Sequence, residues 1–201
     1  MLTLVAMSKM NLSEAALRLF NQKGYDAASI RDITKAAGLS TSTFYSHYAS
    51  KEDLYFAIME ECFAELTQLM ERVFAENQDR PVDQQLFALI EARVQFFFDG
   101  TDRYNFLVRN IVYPPDSLRE QVRQRWRDWE DSLGAIADEL FARGQREGVI
   151  ADFDHRELTK SIVRMISGFG NQIIITPETP ETSHESLMRA WDIYMLGLKP
   201  R

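Results

Sequence analysis

Residues 29–48 read SIRDITKAAGLSTSTFYSHY, two capped helical segments about a single glycine. Ser29 followed three residues later by Asp32 is a capping-box pattern, which supplies acceptors for backbone N–H groups that a helix start leaves open. Ile30, Ile33 and Ala37 then lie on one helical face. Gly38 ends the helix, because without a Cβ it enters the left-handed conformation easily. Leu39 fills the corner, Ser40 caps a second short helix read through Tyr48, and Phe44 is its inward anchor.

The preceding helix carries Leu12, Ala15, Ala16, Leu19 and Phe20 on one face and stops at Gly24. Downstream, Ser50 and Asp53 repeat the cap for a helix from Lys51 to about Glu76. That helix bears two apolar stripes, through Leu54, Ile58, Cys62, Leu66, Leu69 and Val73 and through Tyr55, Met59, Phe63, Met70 and Phe74, so it must be covered on two sides. Further helical spacing appears at Leu86–Phe97 (ending at Asp99 and Gly100), at Arg103–Val112, and from Leu118 to Leu140 after Pro114 and Pro115. Asp154 caps a helix through about Ile175, and Leu187, Trp191, Tyr194 and Leu198 mark a last one. No useful β-type alternation occurs, so the chain is expected to be all-α with about nine helices. The expected division is a three-helix helix-turn-helix domain at 1–50 and a larger helical domain at 51–201.

Two short helices joined by a glycine turn, with polar residues exposed on the second, meet the requirements for entering a DNA major groove. Hydroxyls at Ser40, Thr41, Ser42, Thr43 and Tyr45 can reach phosphate oxygens or base edges. Lys51 opens the following helix, where a cation opposes the macrodipole but suits phosphate. Taken singly, each has a plainer reading: serine and threonine are routine caps, Tyr45 and Tyr48 fit a half-buried core, and Lys51 fits a solvated charge.

Together, Phe20, Gly24-Tyr25, Ser29-Ile30, Asp32-Ile33, Ala36-Ala37-Gly38-Leu39-Ser40, Thr43-Phe44-Tyr45, His47-Tyr48 and Ser50-Lys51-Glu52-Asp53-Leu54 closely resemble the DNA-binding domain of TetR-family regulators. The resemblance covers roughly residues 10–56; the rest agrees only in helix number and length. It implies that Ser29 and Tyr48 contact phosphate, that Thr41, Ser42 and Tyr45 face the groove, and that Lys51 is a phosphate clamp, with Thr43 and His47 nearby. The family usually has glycine or alanine where Ser42 stands, and brings more cations on the first helix than Lys9 and Arg18, which implies lighter DNA binding with a weaker salt slope. It also implies a homodimer through the last two long helices, with Arg164, Gly168, Trp191 and Tyr194 at the interface, and a small-molecule effector in the larger domain.

The charge pattern agrees. Of 201 residues with net charge −7, the first 53 hold six basic and five acidic side chains, net +1, leaving −8 for the remainder. A near-neutral head on an acidic body suits a DNA reader better than a general nucleic-acid coat. Aromatic residues spread through the larger domain fit an apolar ligand cavity, for which Met59, Phe63, Leu66, Phe97, Phe106, Trp126, Trp129 and Phe169 are the candidates, although ordinary core packing explains most of them more simply. Arg93, Arg109 and Asn110 lie beside these stripes and can meet a carboxylate, phosphate or carbonyl, though a solvated face also explains them.

Other chemistries find little support. Cys62 is alone, so no internal disulfide exists. Gly168-Phe169-Gly170 lacks a preceding strand and a third glycine, so no dinucleotide cofactor is expected. Asp152, Asp154, His155 and Glu157 cluster as a helix start rather than as metal ligands. His47, His155 and His184 are scattered without a nucleophile–base grouping, so neither an enzyme nor a bound metal is expected. The first ten residues lack a charged leader and an adequate apolar region, and no segment has the roughly 20 apolar residues of a membrane span, so a cytoplasmic location away from membranes is expected. The rival reading is a helical binding or catalytic protein with an inert helix-turn-helix.

Overall fold

The structure, a computed structural model, describes residues 4–98, 102–176 and 179–200, without the side chains of 97, 98, 133, 135 and 171–175. Among the described residues it is wholly helical: α1 (Leu4–Lys23), α2 (Ile30–Ala37), α3 (Thr41–Tyr45), α4 (Lys51–Glu76), α5 (Val82–Phe98), α6 (Asp102–Val112), α7 (Arg119–Arg146), α8 (His155–Ile175) and α9 (Pro180–Leu198), with a 3-10 turn at Asp116–Leu118. The expected nine helices are present. α3 is shorter than anticipated, ending at Tyr45, although the Tyr48 N–H still donates to the Phe44 carbonyl at 3.0 Å.

Packing divides the chain into two compact units, Met1–Glu65 with Gly100–Arg127, and Leu66–Asp99 with Asp128–Arg201. This differs from a cut at residue 50. The cause is α4, which is continuous through both units and whose first half is buried with the helix-turn-helix, while α6 joins the same core.

In the first unit α1 packs against α2 and α6. Leu12, Ala15, Ala16, Leu17 and Phe20 form its buried side. Phe20 meets Tyr55 of α4 at 5.7 Å and Phe106 of α6 at 6.3 Å between ring centres, and Tyr55 meets Phe106 at 5.2 Å. Edge-to-face and tilted aromatic pairs of this kind add about 0.5–1.5 kcal/mol each beyond area burial. Polar ties reinforce the seam: Arg109 Nη1 donates to the Asn21 carbonyl at 2.6 Å, and Asn21 Nδ2 to the Asp102 carbonyl at 2.6 Å. Gly24 turns the chain after α1 at φ 82°, and a Cβ there would lie 3.3 Å from Arg109 Nη2.

In the second unit α5 packs against α8 and α9. Trp191 of α9 is buried, 6.1 Å from Phe87 of α5, and stacks on Tyr194 at 5.6 Å. Tyr194 shares a 2.5 Å hydrogen bond with Ser161 of α8. The α7–α8 turn uses Gly144 as a spacer, since a Cβ there would come within 2.7 Å of Ile150 Cδ1. Asp154 caps α8 by accepting from the Glu157 N–H at 3.1 Å, and His155 pairs with Gln145 Oε1 at 2.9 Å. No helix among the described residues is long and apolar enough to cross a membrane.

Candidate nucleic-acid interface

α2 begins with the reciprocal box that its sequence announces. Ser29 Oγ accepts from the Asp32 N–H at 3.1 Å, and Asp32 Oδ2 accepts from the Ser29 N–H at 3.2 Å. The same carboxylate takes a 2.7 Å bond from Lys23 Nζ, and these bonds, Lys23 foremost, hold Asp32 well below the usual carboxylate range. Gly38 ends α2 at φ 67°, with its N–H and that of Leu39 closing on the Lys35 and Thr34 carbonyls. The turn is thereby fixed, and α3 leaves at an angle set by backbone bonding.

Phe44 is fully buried. That orientation turns Thr41, Ser42 and Tyr45 outward, and Tyr45 is 57% exposed with its ring edge-on to Phe44 at 5.3 Å. Ser40 Oγ caps Thr43 N–H at 3.1 Å and lies 2.9 Å from Ser42 Oγ and 2.8 Å from Thr43 Oγ1. These three hydroxyls form a linked cluster, so each has a preset direction. Ser29 is exposed beside them in sequence order at the α2 start.

Three expected contacts are differently placed. Tyr48, expected at phosphate, is 3% exposed; its ring packs on Phe44, and its buried hydroxyl has no hydrogen-bond partner among the described residues. Burial pushes that hydroxyl up to about 12. His47 Nε2 is 2.7 Å from Ser8 Oγ, tying the α3 end to α1. Lys51 Nζ donates to the carbonyls of Tyr25 and Ala28 at 2.8 and 2.9 Å and sits 4.0 Å from the centre of the Tyr25 ring. An ammonium has three donors, so one remains for a phosphate. Burial lowers its pKa. Lys9, already notable in the sequence as a first-helix cation, is exposed, and so are Arg31 and Lys35 of α2, which as ordinary surface cations carry no signal of their own until α2 is laid out.

The second unit holds a cavity of about 760 Å³ whose described wall includes Met70, Leu86, Leu89, Ile90, Ile162 and Ile166, together with Arg93, Glu130, Thr159 and Arg164. This wall is aliphatic and charged rather than aromatic. Phe97 lies outside the described side chains; of the other residues expected to meet a ligand Arg93 is on this wall, and the remaining nine are not. Met59, Phe63, Leu66 and Phe106 are close-packed core. Phe63 lies 5.9 Å from Trp126, and Trp129 is buried beneath Arg93 at 5.4 Å while donating to Thr67 Oγ1 at 3.0 Å. Asn110 is buried and donates to the Phe106 carbonyl at 2.6 Å, Arg109 is committed to Asn21, and Phe169 is half-buried on α8. The aromatic rings fill space among themselves, which is why they leave little room between them.

Of the expected dimer residues, Arg164 and Gly168 are exposed on α8, and nothing stands within 4 Å of a Cβ built at Gly168. Trp191 and Tyr194 face inward instead, held by Phe87 and Ser161. The outward apolar residues of α9 are Met188, Ile193 at 72% and Leu196 at 68% exposure. They form a second stripe on α9 that was masked by the stronger aromatic one.

A family model for bacterial regulatory proteins of the tetR family matches residues 12–58. The biofilm operon icaADBC HTH-type negative transcriptional regulator IcaR of Staphylococcus epidermidis is 26% identical over 125 residues, covering 62% of this chain and 64% of that relative. The aligned part is thus just under two thirds of the relative's length. Among solved structures, the fatty acid degradation regulator FadR from Bacillus halodurans aligns with a TM-score of 0.75 at 17% identity, over 96% of this chain and 97% of that one. NalD, the secondary repressor of the MexAB-OprM multidrug efflux pump in Pseudomonas aeruginosa, gives 0.71 at 21%, over 92% and 93%. At such identities these two structures speak for the fold alone. Taken with the capped α2–α3 unit, the match over residues 12–58 identifies that segment as a helix-turn-helix DNA-binding domain similar to those of the tetR family.

Proposed function

We propose that the protein is a repressor that binds a palindromic operator as a homodimer and is released by a small-molecule effector. The observation that carries this reading is α3, whose buried Phe44 directs Thr41, Ser42 and Tyr45 to solvent beside a hydroxyl cluster at Ser40, Ser42 and Thr43. In the proposed complex two copies of α3 enter successive major grooves about 34–36 Å apart. Ser29 and the third N–H of Lys51 bond phosphates, while Tyr48 and His47 hold α3 in place from behind. Repression rather than activation is favoured by the description of IcaR as a negative regulator.

Residues 1–50 are the reading head and 51–201 the effector-binding and dimerising part in this proposal. The pairing surface is the α8–α9 face with Gly168, Ile193 and Leu196, whose exposure on a monomer favours burial by a second copy. The effector acts through differential affinity for two conformations, typically about 1–3 kcal/mol of coupling. The protein acts in the cytoplasm, as a regulator and not an enzyme.

The test is retention of the protein's own promoter region in a gel, with wild type and the Thr41→Ala/Tyr45→Ala double variant. Selective retention by wild type and its loss in the variant support the proposal; equal retention of promoter and unrelated DNA contradicts it. Deletion of the gene should raise expression from the retained promoter, and a fall would make the protein an activator.

A further inference from the structure

The cavity of the second unit sets the half-buried Arg93 guanidinium against aliphatic side chains, while Arg156 and Arg164 line it from exposed positions on α8. Arg93 of α5 lines it beside Leu86, Leu89 and Ile90 of the same helix and Ile162 and Ile166 of α8. The guanidinium carbon lies 5.4 Å from the centre of the Trp129 ring, and Trp129 is itself fixed by its bond to Thr67 Oγ1. Arg93 has no ion pair and no hydrogen bond among the described residues, so its planar fork of donors has no bound acceptor there. Thr159 Oγ1, on the α8 side of the same cavity, is buried and also without a hydrogen-bond partner among the described residues.

Other charges on the wall do not duplicate this arrangement. Arg156, Lys160 and Arg164 are exposed on α8, with Lys160 bonded to Glu157 at 2.8 Å, and Asp131 and Asp138 are exposed on α7. Among the described residues of the wall, Glu130 is the one partly buried acid. Burial pushes the Arg93 pKa down, and the charge of Glu130, which acts to raise it, only partly offsets that effect. A half-buried cation left this way gains most from an anion that brings its own apolar surface.

We infer that this cavity binds an amphipathic carboxylate, with its head on Arg93 and Thr159 and its tail along Leu86, Leu89, Ile90, Ile162 and Ile166. The volume of about 760 Å³ is within the range of small-molecule sites. The inference rests on the reading of the second unit as the effector-binding part, and narrows a small, largely apolar effector to one with a single negative head. Carboxylate pairing with guanidinium is bidentate and directional, which a neutral alcohol of the same length cannot match.

The full-length protein, titrated calorimetrically with decanoate, decanol and decyltrimethylammonium at concentrations that keep each monomeric, tests this. Decanoate should bind once per protomer, with the alcohol and the ammonium compound at least about tenfold weaker. Arg93→Gln should weaken decanoate about tenfold and leave decanol unchanged, while Glu130→Gln should tighten decanoate. Gly134→Leu should abolish binding of all three, because Gly134 lines the cavity and nothing stands within 4 Å of its added Cβ. Each variant is first matched to wild type in its melting curve and in retention of promoter DNA; a variant that fails this is replaced by Arg93→Lys or Gly134→Val. Decanoate binding indifferent to Arg93, preference for the ammonium compound, or no binding by any probe would overturn the assignment. If promoter retention persists in those cases, the regulator reading stands without it. If retention is absent while Arg93-dependent decanoate binding is present, the cavity assignment stands and the regulator reading falls.

Discussion

Lys51 Nζ lies 4.0 Å from the centre of the Tyr25 ring and binds the carbonyls of Tyr25 and Ala28, so the first residue of α4 is the bolt that fastens α4 to the α1–α2 loop. A surface cation that served DNA alone could be removed without harm to the fold. Lys51→Met should instead lower stability by about 1–2 kcal/mol, discounting charge-assisted bonds for partial exposure, as well as weaken DNA binding. Denaturant unfolding beside anisotropy titration checks this; loss of affinity at unchanged midpoint would show that the carbonyl bonds contribute nothing.

Tyr45 presents the opposite case. Its ring is exposed and touches the core only through the edge of Phe44. Tyr45→Ala should change stability by no more than about 0.5 kcal/mol. Its operator affinity should fall by about 1–3 kcal/mol per protomer, the range of a good base contact. Thermal melts and DNA titration of the same preparation separate the two effects.

The cap of α2 makes a prediction with a sign in pH. Ser29→Ala should cost about 1 kcal/mol of stability. Asp32 has its folded pKa lowered, chiefly by Lys23 and then by Ser29, so its contribution is fully present above its unfolded value of about 3.9 and is lost as pH falls below that toward the folded value. The stability advantage of wild type over Asp32→Asn should therefore shrink on acidification below about pH 4. An advantage that grew there would contradict the capping role.

Cys62 is fully buried, and burial pushes its thiol up to about 12 against the partial opposing effect of Arg103. The thiol should resist iodoacetamide in the native protein at pH 8 and react at the rate of unfolding or local opening. Because the folded pKa is the higher one, stability should fall as pH rises from about 8.5, the unfolded value, toward about 12. Rapid native labelling would mean that α4 is open where the structure has it closed.

The parts of this molecule that were legible in sequence are those with local causes. Ser29, Asp32 and Gly38 act on backbone within five residues of themselves, so spacing alone reveals α2 and the turn into α3. The inward turn of Lys51 was hidden because its partners are backbone carbonyls 23 and 26 residues away, and carbonyls have no residue signature. Helical spacing identified the Trp191–Tyr194 side of α9 as apolar, but the choice between α5 and a second subunit as its cover depends on tertiary packing. Periodicity also could not separate a filled aromatic core at Phe106 and Tyr55 from the aliphatic cavity beside Arg93, since both use the same stripes.

The central claim is that the α2–α3 unit reads DNA sequence, and its most direct measurement is the ratio of affinities for the protein's own promoter fragment and a scrambled fragment of equal length at one fixed salt concentration. The account predicts a ratio of about 10³ or more, lost in Thr41→Ala/Tyr45→Ala. A ratio near one, unchanged in that variant, would contradict it.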